Sequence, residues 1–308
     1  SWVYRAAKNV DRTTAFGSTQ SLETTGTVMF MNCAFPTLDE EALEPSYVTL
    51  GPYCEQPYST NSLFNISGMS FGALSKPAVR ALSRGVKLAG CWMNTGEGGL
   101  SPYHLEGGAD IVFQIGTAKY GVRDEQGKLS LEKLKSIAEH EQVKMFEIKM
   151  SQGAKPGKGG MLPGRKVTAE IAKIRGIPEG HDSISPNGHP EIKTPANLLD
   201  MIATVRSTTG KPTGFKAVIG EYAWLETLFS EINNRGIESA PDFITIDSAD
   251  GGTGAAPQPL MDSVGLPLKE SLPLVVDLLK KHGLRERVKV IASGKLIVPS
   301  KVAWALAL

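Results

Sequence analysis

Residues 147–164 read EIKMSQGAKPGKGGMLPG, an apolar segment of strand character followed by a loop rich in glycine, proline and lysine. Glycine permits close backbone approach, and lysine supplies positive charge. Such a loop at the end of a buried strand suits an anionic ligand. The same succession of apolar strand, glycine-rich turn and helical pattern recurs along the chain, and this recurrence indicates the fold class.

Seven segments have the length and apolar character of buried strands: 63–68, 91–94, 111–116, 145–150, 214–219, 243–248 and 288–293. Helical patterns cover residues 76–89, 131–141, 168–175, 195–208, 224–235, 268–282 and 299–306. Alternating strands and helices predict an α/β fold of parallel strands with right-handed crossovers, here a (β/α)8 TIM-type barrel. Because such a barrel has eight strands, we predict that the chain ends before the last strand and helix.

Residues 1–60 are irregular in pattern and contain four prolines and scattered aromatic residues. We predict that they form an N-terminal extension packed on a barrel domain over residues 61–308. The chain starts at Ser1 without a methionine, and a helical pattern still runs at Leu308. We therefore expect both ends to be cut.

The charges are balanced, with 33 Lys and Arg against 32 Asp and Glu and a formal net charge of +1. This balance gives no electrostatic reason to expect nucleic acid or an anionic membrane as a partner. No apolar run approaches the ~20 residues of a membrane-spanning helix. Three scattered cysteines argue for a reducing compartment, so a cytoplasmic location is predicted. The five histidines have no zinc-site spacing, and no metal site is predicted.

Two turns near the start of the barrel are candidates for binding. Residues 67–75 (SGMSFGALS) are small enough for a flat ring to lie against the backbone, or they simply form a tight strand-to-helix turn. Residues 94–99 (NTGEGG) hold Glu97 between glycines. That carboxylate could hydrogen-bond a substrate amine, or it could be solvated.

Basic side chains follow the middle of the chain. Lys149 ends a predicted strand, Lys155 lies in the loop behind it, and Arg175 lies in the next helix. Together they could hold a dicarboxylate, although a basic surface loop is the alternative. Lys216 lies inside the apolar segment GFKAVIG. An inward lysine there could stabilise the negative charge of a reduced flavin, or the side chain could extend from a strand edge to solvent.

Two further turns could bind phosphate. Residues 247–255 (DSADGGTGA) combine glycines with a hydroxyl group, and successive backbone N–H groups of this kind form anion-binding nests. Residues 292–294 (ASG) follow the last predicted strand. Barrels often bind phosphate with the loops after their last strands, so this turn is a candidate half of a phosphate site.

Taken in order, the strings ISGMSFGALS, NTGEGG, EIKMSQGAKPGKGG, LPGRKV, ADGGTGAAP and ASGK resemble the synthase domain of glutamate synthase from about residue 61 to the end. With GFKAVIG and the N-terminal extension, the chain is most similar to the stand-alone bacterial FMN-binding glutamate synthase family proteins. The resemblance implies a (β/α) barrel with FMN and, beside it, a three-iron four-sulfur cluster. It also implies that 2-oxoglutarate condenses with ammonia to 2-iminoglutarate, which a hydride from N5 of reduced FMN converts to L-glutamate.

The resemblance also assigns roles to residues. Glu97, Lys149 and Lys155 would be catalytic, and Lys149, Gln152 and Arg175 would bind the substrate. The predicted FMN contacts are Met69, Ser70, Asn94, Gln114, Lys216, Asp250, Gly251, Gly252, Thr253, Gly254, Ser293 and Gly294. Of these, Ser293 and Gly294 would meet the phosphate.

The sequence departs from the family pattern in four respects. Met161 stands where the family has a Gln that helps to hold the oxo acid, which puts the substrate in question. Ser1 is not a catalytic cysteine of a glutaminase domain, so ammonia would come from solution or from a glutaminase subunit. The cysteines for the iron–sulfur cluster are absent. No pyridine-nucleotide module is present, so ferredoxin or a partner flavoprotein would supply electrons.

Three alternatives stay open. The chain could be an N-methylglutamate synthase subunit that takes methylamine, or a non-catalytic subunit of a larger synthase. It could also be another FMN barrel, such as the type 2 isopentenyl diphosphate isomerase group. The basic loop after Lys149 argues against the last of these.

Overall fold

The computed structural model describes residues 2–8, 23, 29–43, 46–153, 157, 159–251 and 256–308. The chain divides into a smaller unit, Ser1–Ser46 with Leu296–Ala307, and a larger unit, Tyr47–Lys295 with Leu308. The proposed domain boundary near residue 60 stays a prediction. Within the described ranges, no helix is long and apolar enough to cross a membrane.

The helices are α1 (Trp2–Ala7), α2 (Lys76–Ala89), α3 (Pro102–Leu105), α4 (Leu131–Ala138), α5 (Ala169–Arg175), α6 (Pro195–Thr209), α7 (Ala223–Arg235), α8 (Leu268–Lys281) and α9 (Pro299–Leu306). The strands are β1 (Val48–Leu50), β2 (Tyr58–Thr60), β3 (Trp92–Asn94), β4 (Asp110–Ile115), β5 (Val143–Lys149), β6 (Met161–Leu162), β7 (Ser183–Ile184), β8 (Thr213–Val218), β9 (Phe243–Asp247) and β10 (Lys289–Ser293). Helices α1 and α9 belong to the smaller unit, and the other elements belong to the larger unit.

One parallel sheet organises the larger unit, with the strand order β10-β9-β8-β5-β4-β3. Two antiparallel pairs, β1 with β2 and β6 with β7, stand apart from it. Residues from β3, β4, β5 and β9 meet in one hydrophobic cluster, and Ile291 of β10 packs against it. The sheet is therefore curled, since non-neighbouring strands contact each other across its interior. The predicted α/β barrel fold is confirmed as a partial barrel of six parallel strands.

The predicted strand at 63–68 is wrong. Within that segment the structure gives a single parallel bridge, between Ile66 and Met93. The side-chain oxygen of Asn65 accepts the Trp92 N–H at 3.0 Å. A side chain thus takes a donor that the next rung of a regular ladder would have used, and the ladder stops there.

Side chains alternate along the strands between an outer face, which packs on helices, and an interior face. At the amino-terminal end, the interior is filled by apolar residues of four strands together with two from the β1–β2 hairpin: Trp92, Val112, Met145, Phe243, Leu50 and Tyr58. All of them are at most 8% exposed. Full burial of a large apolar side chain contributes roughly 1.5–3 kcal/mol. This end of the interior is therefore a packed core.

A buried carboxylate anchors the same end of the sheet. Asp242 has no exposed surface and accepts hydrogen bonds from Arg206 Nε at 3.0 Å, Arg287 Nη2 at 2.9 Å and the Thr213 N–H at 2.8 Å. Two arginines and a backbone amide donate to this carboxylate. Its removal would therefore leave two buried cations without a counter-charge.

Candidate functional site

The carboxyl-terminal end of the interior is polar, in contrast to the apolar amino-terminal end. Alternation places every second residue of a strand on the interior face. Near the ends of the six strands, one or two of these positions in each strand carry polar or charged side chains: Asn94, Gln114, Glu147, Lys149, Lys216, Thr245, Asp247 and Ser293. The strands are parallel, so these residues converge at one end of the sheet. Barrels carry their active sites at this end.

The first cluster joins three of the predicted site residues. Lys149 Nζ forms an ion pair with Glu97 and donates to Gln152 Oε1 at 3.1 Å. Gln152 Nε2 donates in turn to both carboxylate oxygens of Glu97 at 2.8 Å. Burial alone would raise the pKa of Glu97, but the positive charge of Lys149 and these hydrogen bonds outweigh it and lower the pKa. Glu97 is therefore a carboxylate at neutral pH. The third predicted catalytic residue, Lys155, lies outside the described residues.

The second cluster is an ion pair on the neighbouring strands. Lys216 Nζ lies 3.5 Å from Asp247 Oδ2, and the two side chains are 12% and 22% exposed. Burial alone would lower the pKa of Lys216, but the charges of Asp247, Glu147 and Glu97 outweigh it and raise the pKa. Lys216 is therefore a cation held inside the sheet, as the sequence predicted for an inward lysine.

The two lysines are neighbours. Lys149 and Lys216 are paired in the register of β5 and β8. Like charges directly opposite each other destabilise a sheet, and here each ammonium has a carboxylate of its own. The four charges form two ion pairs side by side at the end of the sheet.

Arg175 is a buried cation of a different kind. Its Nη1 donates to Ser183 Oγ at 2.9 Å, its Nη2 approaches the Phe71 carbonyl at 3.4 Å, and the guanidinium lies 5.0 Å from the centre of the Tyr120 ring. Burial lowers its pKa, although an arginine stays charged in proteins. Its Nε has no hydrogen-bond partner, and no carboxylate of the described chain pairs with it. A guanidinium in this state suits a carboxylate ligand that binds with two oxygens.

Gly98 connects the surroundings of Arg175 with Glu97. A Cβ on Gly98, the residue after Glu97, would lie 3.4 Å from Arg175 Nη2 and 2.5 Å from Ser70 Oγ. Glycine at this position therefore keeps the predicted cofactor residue Ser70 and the guanidinium close to the Glu97 loop. Met69 lies in the same turn, where its N–H donates to the Asn94 carbonyl at 3.1 Å.

The ends of β9 and β10 form a close backbone cradle. Ser248 N–H donates to the Ser293 carbonyl at 3.1 Å, and Ser248 Oγ is buried without a hydrogen-bond partner. Gly294 has φ +136°, and a Cβ there would lie 1.9 Å from that hydroxyl oxygen. A buried hydroxyl without a partner next to an obligatory glycine fits a phosphate oxygen.

Residues 250–254 after β9, which were predicted to bind the cofactor, are described only at Asp250 and Gly251. Asp250 Oδ2 accepts the N–H of Leu268, the first residue of α8, at 2.7 Å. Gly251 N–H donates to the Ser248 carbonyl at 3.0 Å. The described contact of Asp250 is thus with a helix end, and Gly252, Thr253 and Gly254 lie outside the described residues.

Comparison with known proteins gives the family. The family model described as the conserved region in glutamate synthase matches residues 20–308. The chain belongs to the glutamate synthase family.

Curated relatives agree with this assignment. The chain is 49% identical to a glutamate synthase large subunit-like protein, YerD, of Bacillus subtilis, over 83% of this chain and 48% of the relative. It is 37% identical to an archaeal glutamate synthase (NADPH) of Methanocaldococcus jannaschii, over 79% of this chain and 44% of the relative. The chain thus spans about half the length of these curated relatives. Among solved structures, a mandelate oxidase is similar at 16% identity and a TM-score of 0.47, over 81% of this chain and 64% of that chain.

Within the glutamate synthase family, Met161 was expected to take the place of a substrate-binding Gln. In the structure Met161 lies on β6 and is 56% exposed, while its neighbour Leu162 packs into the cluster around Phe71 and Ile171. Leu162 and Ser183 are partners in the register of β6 and β7. Arg175 contacts the face of this strand pair that carries Leu162 and Ser183. Because strand side chains alternate, Met161 points to the opposite face.

The three cysteines are free, and the described residues contain no group of three or more His, Cys, Asp or Glu side chains that could hold a metal ion. Iron–sulfur clusters are held by cysteine thiolates. Burial and the Asp242 charge raise the pKa of Cys54 to about 12. Burial also raises the pKa of Cys91, whose thiol lies 3.8 Å from the Val86 carbonyl oxygen. Cys33 lies in the smaller unit. The thiols of Cys54 and Cys91 thus lie in separate environments, and the expected absence of an iron–sulfur cluster stays a prediction.

Sequence reasoning missed the buried groups behind the predicted site. Glu147 precedes Lys149 by two positions, so strand alternation could have placed its carboxylate on the same face. His189 Nε2 donates to the Lys149 carbonyl at 2.9 Å, and His104 Nε2 donates to the Met69 carbonyl at 2.7 Å. Burial lowers the pKa of both histidines, which are therefore neutral at pH 7. No local pattern signals these contacts, because each joins residues more than thirty positions apart.

Proposed function

We propose that this chain is the synthase region of a glutamate-synthase-type oxidoreductase that forms L-glutamate from 2-oxoglutarate and ammonia with reduced FMN as the hydride donor. The observation that carries the proposal is Arg175, a buried guanidinium without a carboxylate partner in the described chain. It lies against Gly98, the residue after Glu97, and Glu97 forms the ion pair with Lys149. An anionic substrate would supply the missing carboxylate. The family assignment supports the same reaction class.

The substrate chemistry follows from the charges. 2-Oxoglutarate carries two carboxylates and a ketone, so Arg175 would bind one carboxylate and Lys149 would bind near the other end. Gln152 holds Lys149 and Glu97 in their present positions through its amide. These three residues would orient the oxo acid before ammonia attacks its carbonyl carbon and water leaves.

Proton transfer is the second task. The condensation needs one group that takes a proton from the attacking amine and one that gives a proton to the leaving oxygen. Glu97 is ionised because its pKa is lowered, and Lys149 is its hydrogen-bonded ammonium partner. The pair would accept and return a proton at the substrate nitrogen, as positioned acids and bases do.

The cofactor site would lie on the other side of the lysine pair. Lys216 would hold the flavin edge that becomes negative on reduction, and Ser248 with Gly294 would hold the phosphate. When bound and reduced, FMN supplies the hydride that the imine carbon receives. Asn94 and Gln114 would face the ring from the neighbouring strands.

The remaining parts of the reaction would come from partners. We propose that ammonia comes from solution or a glutaminase subunit, and that ferredoxin or a partner flavoprotein supplies electrons. We place the protein in the cytoplasm. An N-methylglutamate synthase would use methylamine at the same site, and no described contact favours it over ammonia.

The test is a flavin titration of the purified chain, followed by assay. We expect the wild type to bind FMN and Lys216→Met to raise the Kd at least about tenfold, the equivalent of ~1.4 kcal/mol. Lys193→Met is the matched control, because Lys193 is exposed and its side chain has no role in the site. Chemically reduced protein with 2-oxoglutarate should then form glutamate from ammonia and form less product with methylamine. A wild type that retains no flavin would overturn the proposal.

A further inference from the structure

Glu147 is a buried carboxylate with three hydrogen bonds from three other strands. It is 2% exposed and lies on the interior face of β5. Its Oε1 accepts from Asn94 Nδ2 at 2.8 Å and from Gln114 Nε2 at 2.6 Å. Its Oε2 accepts from Thr245 Oγ1 at 2.5 Å. Glu147 therefore connects β3, β4 and β9 from the middle of the sheet.

The carboxylate fixes the orientation of both amides. Glu147 Oε1 is the acceptor of both bonds, so each amide turns its NH2 group towards Glu147. The other end of the Asn94 amide is also taken, because Asn94 Oδ1 accepts the Gly96 N–H at 2.8 Å. The carbonyl oxygen of Gln114 differs, since no hydrogen bond from the described residues reaches it.

We propose that Glu147 is a positioning residue that holds the Gln114 amide with its carbonyl oxygen available as an acceptor for a ligand N–H group. The inference rests on the proposed function, because the ligand that fits is a flat heterocycle with an imide N–H, and oxidised flavin carries this group at N3. Rotation of the Gln114 amide would bring its oxygen against the Glu147 carboxylate and would present NH2 to the ligand. Glu147 thus makes the site selective for a donor at that point.

The position of Glu147 also places it close to the lysine pair. Thr245, which donates to Glu147, is the register partner of Lys216. The charge of Glu147 helps to raise the pKa of Lys216. One buried carboxylate thus orients the neutral donors of the site and supports its cation.

The experiment compares FMN with N3-methyl-FMN, which lacks the imide N–H. The steric cost of the methyl group is common to all variants, so it cancels in the ratio of the two Kd values between proteins. We expect the wild type to favour FMN by a ratio about tenfold larger than that of Glu147→Gln, because a glutamine at 147 can also donate and lets Gln114 rotate. Thr245→Val is the matched control, since it removes only the hydrogen bond to Oε2 and should keep the wild-type ratio. An equal ratio in Glu147→Gln and wild type would overturn the proposal.

A second readout separates this inference from the proposed function. The side-chain NH2 signals of Gln114 in the ¹⁵N-labelled protein without flavin, assigned by their loss in Gln114→Met, should shift in Glu147→Gln and stay in Thr245→Val. If the wild type binds no FMN, the proposed function fails, and the NH2 signals alone test whether Glu147 orients the Gln114 amide. If Glu147→Gln folds poorly, Gln114→Met decides through its ligand ratio. Unmoved NH2 signals, or a wild-type ratio in Gln114→Met, would contradict the role given to Glu147.

Discussion

Removing the Glu97 carboxylate tests the central ion pair. The side chains of Lys149 and Glu97 are 14% and 17% exposed, so their pair lies between two known cases. Exposed pairs contribute about 0.2–1 kcal/mol, and breaking a fully buried pair costs about 3–5 kcal/mol. We therefore expect Glu97→Gln to lower the free energy of unfolding by about 2 kcal/mol at pH 7, because Lys149 keeps its place but loses its counter-charge.

The loss of unfolding free energy in Glu97→Gln should also depend on pH, and the lowered pKa of Glu97 gives the direction. The pKa of folded Glu97 lies below its ordinary value of 4.5. A carboxyl group with a lowered pKa contributes stability above its unfolded pKa and loses it as the pH falls towards the folded pKa. The difference in unfolding free energy between wild type and Glu97→Gln should thus be constant from pH 6 to 8 and shrink below about pH 4.5.

The assay is urea unfolding of wild type, Glu97→Gln, Lys149→Met and the double variant. The double-mutant cycle isolates the coupling between the two side chains, which we expect at about 1–3 kcal/mol. Glu231→Gln is the matched control, because its pair with Arg235 on α7 is about one-third exposed on both sides, and its loss should cost under about 0.5 kcal/mol. A coupling no larger than this, or one that survives acidification unchanged, would refute the reasoning.

Three further predictions concern the phosphate cradle, the substrate and the anchor of the sheet. Gly294→Ala should weaken FMN binding at least about tenfold, ~1.4 kcal/mol, in a fluorescence titration, because the added Cβ would collide with Ser248 Oγ. The binding of riboflavin, which has no phosphate, should be affected less. In the control variant Gly188→Ala the added Cβ meets nothing within 4 Å, so FMN binding should be unchanged. Arg175→Met should raise the KM for 2-oxoglutarate at least about tenfold with a smaller effect on kcat, and equal loss in both parameters would contradict simple substrate binding. Asp242→Asn should lower the free energy of unfolding by about 3–5 kcal/mol in urea, since two buried arginines lose their carboxylate, and a loss under about 1 kcal/mol would show that solvent reaches them.

Much of the fold was predictable because its signals are local. The helical patterns at 76–89 and 299–306 agree with α2 and α9 to the residue, since amphipathic spacing and a proline in the first turn define each helix. The strand predicted at 63–68 is reduced to a single bridge, because the Asn65 side chain accepts the Trp92 N–H, and this partner lies 27 positions away. The β6–β7 pair has two-residue strands, which are too short for alternation to detect.

The site was predictable in its charges and less so in its contacts. Lys149 and Lys216 stood out because a lysine inside an apolar strand is unusual, and the structure places both on the interior face. The predicted place of Asp250 near the cofactor stays a prediction. Its carboxylate accepts the N–H of Leu268, the first residue of α8, a partner that no spacing within the turn indicates. Ser183 reaches Arg175 only because β6 and β7 pair, and that pairing has no sequence signal.

The adjacent lysines also constrain how relatives of this chain can diverge. Since Lys149 and Lys216 face each other across β5 and β8, each carboxylate shields one ammonium from the other as well as neutralising it. Loss of Glu97 or Asp247 by substitution would leave one lysine repelled by its neighbour until that lysine also changed. We therefore expect these four positions to co-vary across lineages, with intermediates that carry three of the four charges being rare.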